Sequence, residues 1–209
     1  MDPTDRTAHT ADADSFFDVE KLTAGRWRNG GGATREIVVR PSGAEEFGWR
    51  ASVADIDADG PFSAFPGVDR TLTLLAGDGV RLVCPGEFDR LLTRAGEPFA
   101  FSGDLALDAE LPGGPCRVLN LMVRRGRWAA RVERVTGPVV PGPGHAGLLY
   151  VLGGRWRTGD AGGQVLTPGQ GVWWDGADEG GRPREATAAL PEPLSPDAVA
   201  LWADVAPAG

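Results

Sequence analysis

Thr71-Leu72-Thr73-Leu74-Leu75-Ala76-Gly77, then Leu92-Thr93-Arg94-Ala95-Gly96, then Phe99-Ala100-Phe101-Ser102-Gly103, is a stretch that the chain repeats. The second copy reads Gly147-Leu148-Leu149-Tyr150-Val151-Leu152-Gly153, then Leu166-Thr167-Pro168-Gly169, then Val172-Trp173-Trp174-Asp175-Gly176. Each copy is an apolar run, a Leu-Thr element closed by Gly, and a second apolar run ended by Gly. In both copies the last two glycines stand seven residues apart. A period of this kind points to one supersecondary unit used twice.

The flanking sequence reads the same way. Short apolar stretches recur between Gly, Pro and Asp at Arg35–Arg40, Trp49–Ile56, Arg70–Leu75, Val80–Val83, Phe99–Phe101, Val118–Val123, Leu148–Leu152, Val165–Leu166 and Gly171–Trp174. Regular short strands with turn signals predict a sandwich or barrel, and helical periodicity is hard to find. The repeat has cupin-like spacing. It predicts an all-β chain of cupin-like jelly-roll barrels, duplicated as a bicupin, although another Gly-rich β protein would give a similar match. The expected division is an acidic, disordered tail over 1–15, a first half over 16–125 and a second half over 126–205. Residues 180–198 read as loop, and Asp197–Ala203 as either a helical turn or a last strand.

Composition narrows the function classes. The 209 residues carry a formal charge of −8 with no basic stripe, which disfavours direct binding to DNA or RNA. No apolar run approaches the length of a membrane span. The N-terminus lacks the basic and apolar regions of a secretory signal, so a cytoplasmic location is expected. Lys21 is the sole lysine, so arginine supplies almost all the positive charge. Cys84 and Cys116 do not form a C-x-x-C pair, and His9 and His145 are the only histidines. The His cluster that a metal-binding cupin needs is missing, so neither metal nor cofactor is expected.

Candidate site residues concentrate between positions 25 and 70. Strand alternation puts Arg35 with Ile37 and Val39, Arg50 with Ser52, Ala54 and Ile56, and Arg70 with Leu72 and Leu74. Each arginine therefore lies on an apolar face, where it needs a carboxylate partner or an anionic ligand. Internal ion pairs and a carboxylate site are equal readings; the second uses the guanidinium fork. The run Asn29-Gly30-Gly31-Gly32 either cradles an anion with its amides or is a turn before a strand. Phe62 and Phe65 either cap a barrel or wall a pocket. Asn120, on one face with Val118 and Met122, needs partners if buried. They are a neighbouring loop or a ligand.

The segments Trp27–Ile37, Trp49–Ile56, Gly60–Arg70 and Asn120-Leu121-Met122 resemble the HutD/Ves family. The resemblance runs from about residue 17 to about residue 178 and is densest over residues 25–75. It implies a metal-free double cupin linked to histidine utilisation. Members of this kind would bind a small carboxylate such as N-formylglutamate or urocanate and restrain pathway expression. Carried onto this chain, the motif gives Arg35, Arg50, Ser52, Phe62, Ser63, Arg70, Asn120 and Met122 as pocket positions. Asn29, Gly30, Gly31, Gly32, Thr34 and Phe65 join them from the adjoining loops. The family pattern often has an acid two residues before the Asn, where this chain has Val118. The rival readings are a metal-free enzyme using Glu36, Asp104 or Cys116, and an interaction module whose surface uses Trp173 or Trp174. A homodimer is a weak expectation.

Overall fold

The computed structural model describes residues 15–43, 46–158, 163–176 and 191–209. Of the expected tail over 1–15, residues 1–14 lie outside the described residues and Ser15 opens a strand; most of the expected loop over 180–198 lies outside them too. In chain order the strands are β1 (Ser15–Asp18), β2 (Ala24–Arg26), β3 (Gly32–Arg40), β4 (Trp49–Ile56), β5 (Gly60–Phe62) and β6 (Val68–Ala76). Next come β7 (Val80–Cys84), β8 (Phe88–Leu92), β9 (Pro98–Ser102), β10 (Leu107–Glu110), β11 (Cys116–Arg124) and β12 (Trp128–Val135). The last are β13 (Ala146–Gly153), β14 (Trp156–Arg157), β15 (Val165–Leu166), β16 (Gln170–Trp174), β17 (Glu192–Pro193) and β18 (Val199–Pro207). One 3-10 turn, Val19–Lys21, follows β1. Among the described residues no helix is long and apolar enough to cross a membrane.

The strands make four sheets, with orders β2-β3-β4-β11-β6-β9, β5-β10-β7-β8, β1-β16-β13-β18-β12 and β15-β14-β17. The repeat is visible in the pairing. The run β4-β11-β6-β9 in the first half has the same antiparallel arrangement as β12-β18-β13-β16 in the second. The fold is all-β, cupin-like and duplicated, as the repeated stretches predict. One strand crosses between the halves: β1, from the start of the chain, pairs with β16, with Phe16 opposite Val172.

Three apolar layers separate the four sheets. The first, with Ile56, Leu72, Leu74, Leu82 and Val118, fills the barrel between the two sheets of the first half. The second, with Trp49, Ala51, Val53, Leu119, Leu148 and Leu201, lies between the large sheets of the two halves. The third, with Trp156, Trp174 and Trp202, fills the second barrel. The first-half sheet is thus covered on both faces. Burial of this kind accounts for the nearly continuous apolar runs of β4, β6 and β11, since covered sheets do not need a polar face. Trp174 stacks on Trp202 at a centroid distance of 4.6 Å and is buried, so it offers no surface to a partner. Its neighbour Trp173 lies under the Arg40 guanidinium at 4.1 Å.

Candidate functional site

The alternation of β4, β11 and β6 builds the floor of a cavity inside the first barrel. Antiparallel register puts Met122 of β11 opposite Arg50 of β4 on one side and Arg70 of β6 on the other. One step along, Asn120 stands between Ser52 and Leu72. The next step places Val118 between Ala54 and Leu74. Residues directly opposite each other project to the same side of the sheet. These three rows therefore share the barrel's inner face, and two strand spacings set Arg50 and Arg70 about 10 Å apart at the backbone.

Two loops wall the space above this floor. The end of β2 and the turn to β3 bring Arg26, Trp27, Arg28 and Asn29; β5 and the segment after it bring Pro61, Phe62, Ser63 and Phe65. The Trp27 indole N–H donates to the Thr34 hydroxyl at 2.8 Å, which fixes the ring. Trp27 then meets Phe62 edge to face, with centroids 6.3 Å apart at 86°. The cavity, open to solvent on one side, is about 570 Å³, within the usual range for small-ligand sites.

Arg70 dominates the electrostatics. The residue is 5% exposed. It donates to the Ser63 carbonyl oxygen at 3.2 Å and, at 3.5 Å, to the Asn120 side-chain oxygen. Its Nε is buried and has no acceptor. Phe62, Phe65 and Phe101 surround the guanidinium at 5.5, 5.3 and 5.1 Å from their ring centres. No carboxylate among the described residues lies within ion-pair distance of it. Burial first, and then the charge of Arg50, pull its pKa down to about 10. Arg50 Nε stands 3.2 Å from Glu36 Oε2 but lacks hydrogen-bond alignment with it, and Glu36 is half in solvent.

The lining contains Asn29, Thr34, Arg50, Ser52, Phe62, Ser63, Phe65, Arg70, Asn120 and Met122 from the sequence candidates. Four candidates fall elsewhere. Arg35 pairs in register with Val53 and lies on the other face of the sheet, toward the second half. There it forms an ion pair with Asp55, which also accepts from Arg117 Nε at 2.6 Å. Arg35 shares this apolar side with Ile37, but the register shift between Glu36 and Val38 carries Val39, expected with them, to the position opposite Arg50 on the cavity side. The grouping with Arg50 and Arg70 fails because both faces of this sheet are buried, and Arg35 takes the outer one.

Gly30, Gly31 and Gly32 are corrected too. The Gly30 N–H donates to the Trp27 carbonyl oxygen at 3.0 Å, and the Gly31 N–H to Asn29 Oδ1 at 3.1 Å. Gly30 has φ +73°, the left-handed region that glycine occupies without strain. At Gly32 a Cβ would collide with the Asp55 carbonyl oxygen and press on the Trp27 ring. The run is a hairpin turn whose first two amides are already bonded. Of the acids weighed for catalysis, Asp104 anchors a loop. It accepts from Gly67 N–H at 2.7 Å and from Arg125 at 2.6 Å. The Gly67 amide first, then Arg125 and Ser102, hold its carboxyl down at about 2. The Cys116 thiol is buried in the first-barrel core, and burial, reinforced by Asp55, pushes it up to about 11.

Sequence reasoning overlooked Arg26, Ala54, Pro61, Leu72 and Val118 as lining, and Trp27 and Arg28 as more than context. Ala54, Leu72 and Val118 could have been found by stepping two residues from Ser52, Arg70 and Asn120. Among the described residues no three His, Cys, Asp or Glu side chains converge.

A sequence profile of the HutD family matches residues 19–190. Protein Ves of Cronobacter sakazakii is 42% identical over 160 residues, which is 76% of this chain and 86% of that protein. The structure of HutD from Pseudomonas fluorescens superposes with a TM-score of 0.75 at 29% identity, covering 94% of this chain and 100% of the other. Oxalate decarboxylase from Lactobacillus farciminis, at 8% identity, shares the fold with a TM-score of 0.62 over 94% of this chain and 87% of its own.

Proposed function

This chain belongs to the HutD family, and on that premise we propose that it binds a small carboxylate metabolite in the first-barrel cavity and regulates histidine utilisation or related amino-acid catabolism. Arg50 and Arg70 grip the carboxylate across Met122. Asn120 and Ser52 serve its polar groups, and Phe62 and Phe65 exclude water. N-formylglutamate and urocanate are the first ligands to try, and the regulatory role comes from the family.

The observation that carries the binding reading is Arg70. A guanidinium this buried is costly without an anion, and its Nε has no acceptor. Of the lining arginines, Arg26 reaches Asp57 at 4.0 Å and Arg50 reaches Glu36 at 3.2 Å, both acids outside the lining, while Arg70 has no acid within reach among the described residues. An incoming carboxylate supplies the missing charge and acceptor together. The lining also holds no Asp, Glu, His, Cys, Lys or Tyr. That composition suits holding an anion better than moving protons.

The test is a thermal-shift and calorimetry series with N-formylglutamate and urocanate on the wild type and on Arg70→Met. A ligand at about 100 times its Kd adds roughly 2.7 kcal/mol of stability. The expected result is a shift with at least one of these acids, absent in Arg70→Met. No shift with either, together with silent calorimetry, defeats the histidine-utilisation part of the reading.

A further inference from the structure

Resting on the carboxylate reading above, we propose that the cavity selects against a free ammonium group. The acid it accepts carries no basic amine. Unmodified amino acids are rejected, and their N-acylated or deaminated counterparts are bound.

An α-ammonium sits beside its own carboxylate, so it must follow that group to wherever Arg50 and Arg70 hold it. The lining there is cationic or neutral: no carboxylate residue belongs to it, and Arg50 and Arg70 stand on its floor. The nearest acid, Glu36, lies against Arg50 at 3.2 Å with its side chain 54% exposed. Asn120 offers one carbonyl oxygen, already shared with Arg70 at 3.5 Å. The Arg50 charge already opposes protonation of Arg70, so a third cation in the same enclosure meets repulsion from both. Ligand ammonium would lose its water and gain no counterion. Beside Asn120 stands Leu72, and in the next row Val118 and Ala54, a wall that favours carbon or a neutral acyl group. Specificity here comes as much from what repels the wrong ligand as from what holds the right one.

Val118 is the residue that sets this preference. It is 1% exposed, lines the cavity one row from Asn120, and stands where a carboxylate would reach an ammonium. The experiment is calorimetry with two matched series: glutarate, L-glutamate and N-acetyl-L-glutamate, and hexanoate, L-norleucine and N-acetyl-L-norleucine. In the wild type at least one amine-free member of a series is expected to bind roughly a hundredfold more tightly than its amino acid. In Val118→Asp the gap is expected to narrow by roughly tenfold or more, as the new carboxylate pairs with the ammonium. Amino acids that bind the wild type as tightly as their acylated partners overturn the proposal while leaving the carboxylate site standing. Silence from all six, and from N-formylglutamate and urocanate, takes down the carboxylate reading and this inference with it. The wild-type comparison decides the matter even if Val118→Asp does not fold.

Discussion

Arg35 and Arg50 stand on adjacent strands of one sheet and point to opposite faces of it. Arg35 faces the layer between the two halves and is bound to Asp55; Arg50 faces the cavity. Two arginines that look alike in sequence therefore belong to different parts of the molecule. One is tied into an ion pair with Asp55, and the other lies on the cavity floor beside Glu36.

Arg35→Ala is expected to lower stability by about 1–2 kcal/mol, because Asp55 keeps Arg117 but loses its second partner in a half-buried place. Burial raises the Asp55 pKa, but the Arg117 and Arg35 hydrogen bonds outweigh it and leave the carboxyl below its ordinary value. Urea melts measure the stability loss. Calorimetry on the same variant should show unchanged affinity for any acid the wild type binds; a lost affinity would return Arg35 to the site.

Arg70→Met should behave in the opposite way. Replacing a buried charge by an apolar side chain of similar length is often neutral or stabilising. The variant is expected to stay within about 1 kcal/mol of wild-type stability and to bind no carboxylate. A large loss of stability in denaturant melts would show that the Ser63 and Asn120 contacts make this arginine structural.

Asp104 gives the loop beside Phe65 a pH dependence. A carboxyl whose folded pKa is about 2, below its ordinary 3.8, stabilises the fold at pH values above the ordinary one. That contribution fades as pH falls through about 2. Asp104→Asn should therefore melt below the wild type at pH 7, and the gap should close as the pH is lowered from about 4 to about 2. A gap that stays constant across that window would mean that the charge contributes nothing.

Gly32→Ala should be far more damaging than Gly30→Ala. The first forces backbone apart at Asp55 and moves the Trp27 ring off the cavity; the second meets no atom and pays only for its left-handed φ, about 1–2 kcal/mol. Melting curves rank the two, and the intrinsic fluorescence should change in the first.

The strands legible in the sequence are those with covered faces. Trp49–Ile56 and Val165–Leu166 match their observed bounds, and the other predicted strands extend by a few residues. The strands left unread have weaker signals. The edge strand Phe88–Leu92 has Asp89 and Arg90 at its centre, Trp128–Val135 has a mostly half-exposed surface, and Ala24–Arg26 is short. The Ala-rich segment 197–203 was open between helical turn and strand; β18 makes it largely a strand, paired on both sides. Alternation put Ile37 with Arg35 but misplaced Val39, because the bulge at Ile37 breaks the period, and it did not say which layer the Arg35 face meets. In the glycine run the residue types were informative about the turn. Which acceptors its amides reach was not, because that depends on how the hairpin closes.

The pairing of Phe16 with Val172 also governs how the chain can be made. β1 precedes β16 by about 150 residues of chain, so it is made long before the strand that receives it. Until β16 follows, β1 lacks its partner. A fragment cut between the halves would leave β1 on the piece that lacks β16, so a second half made alone would present β16 with an open edge.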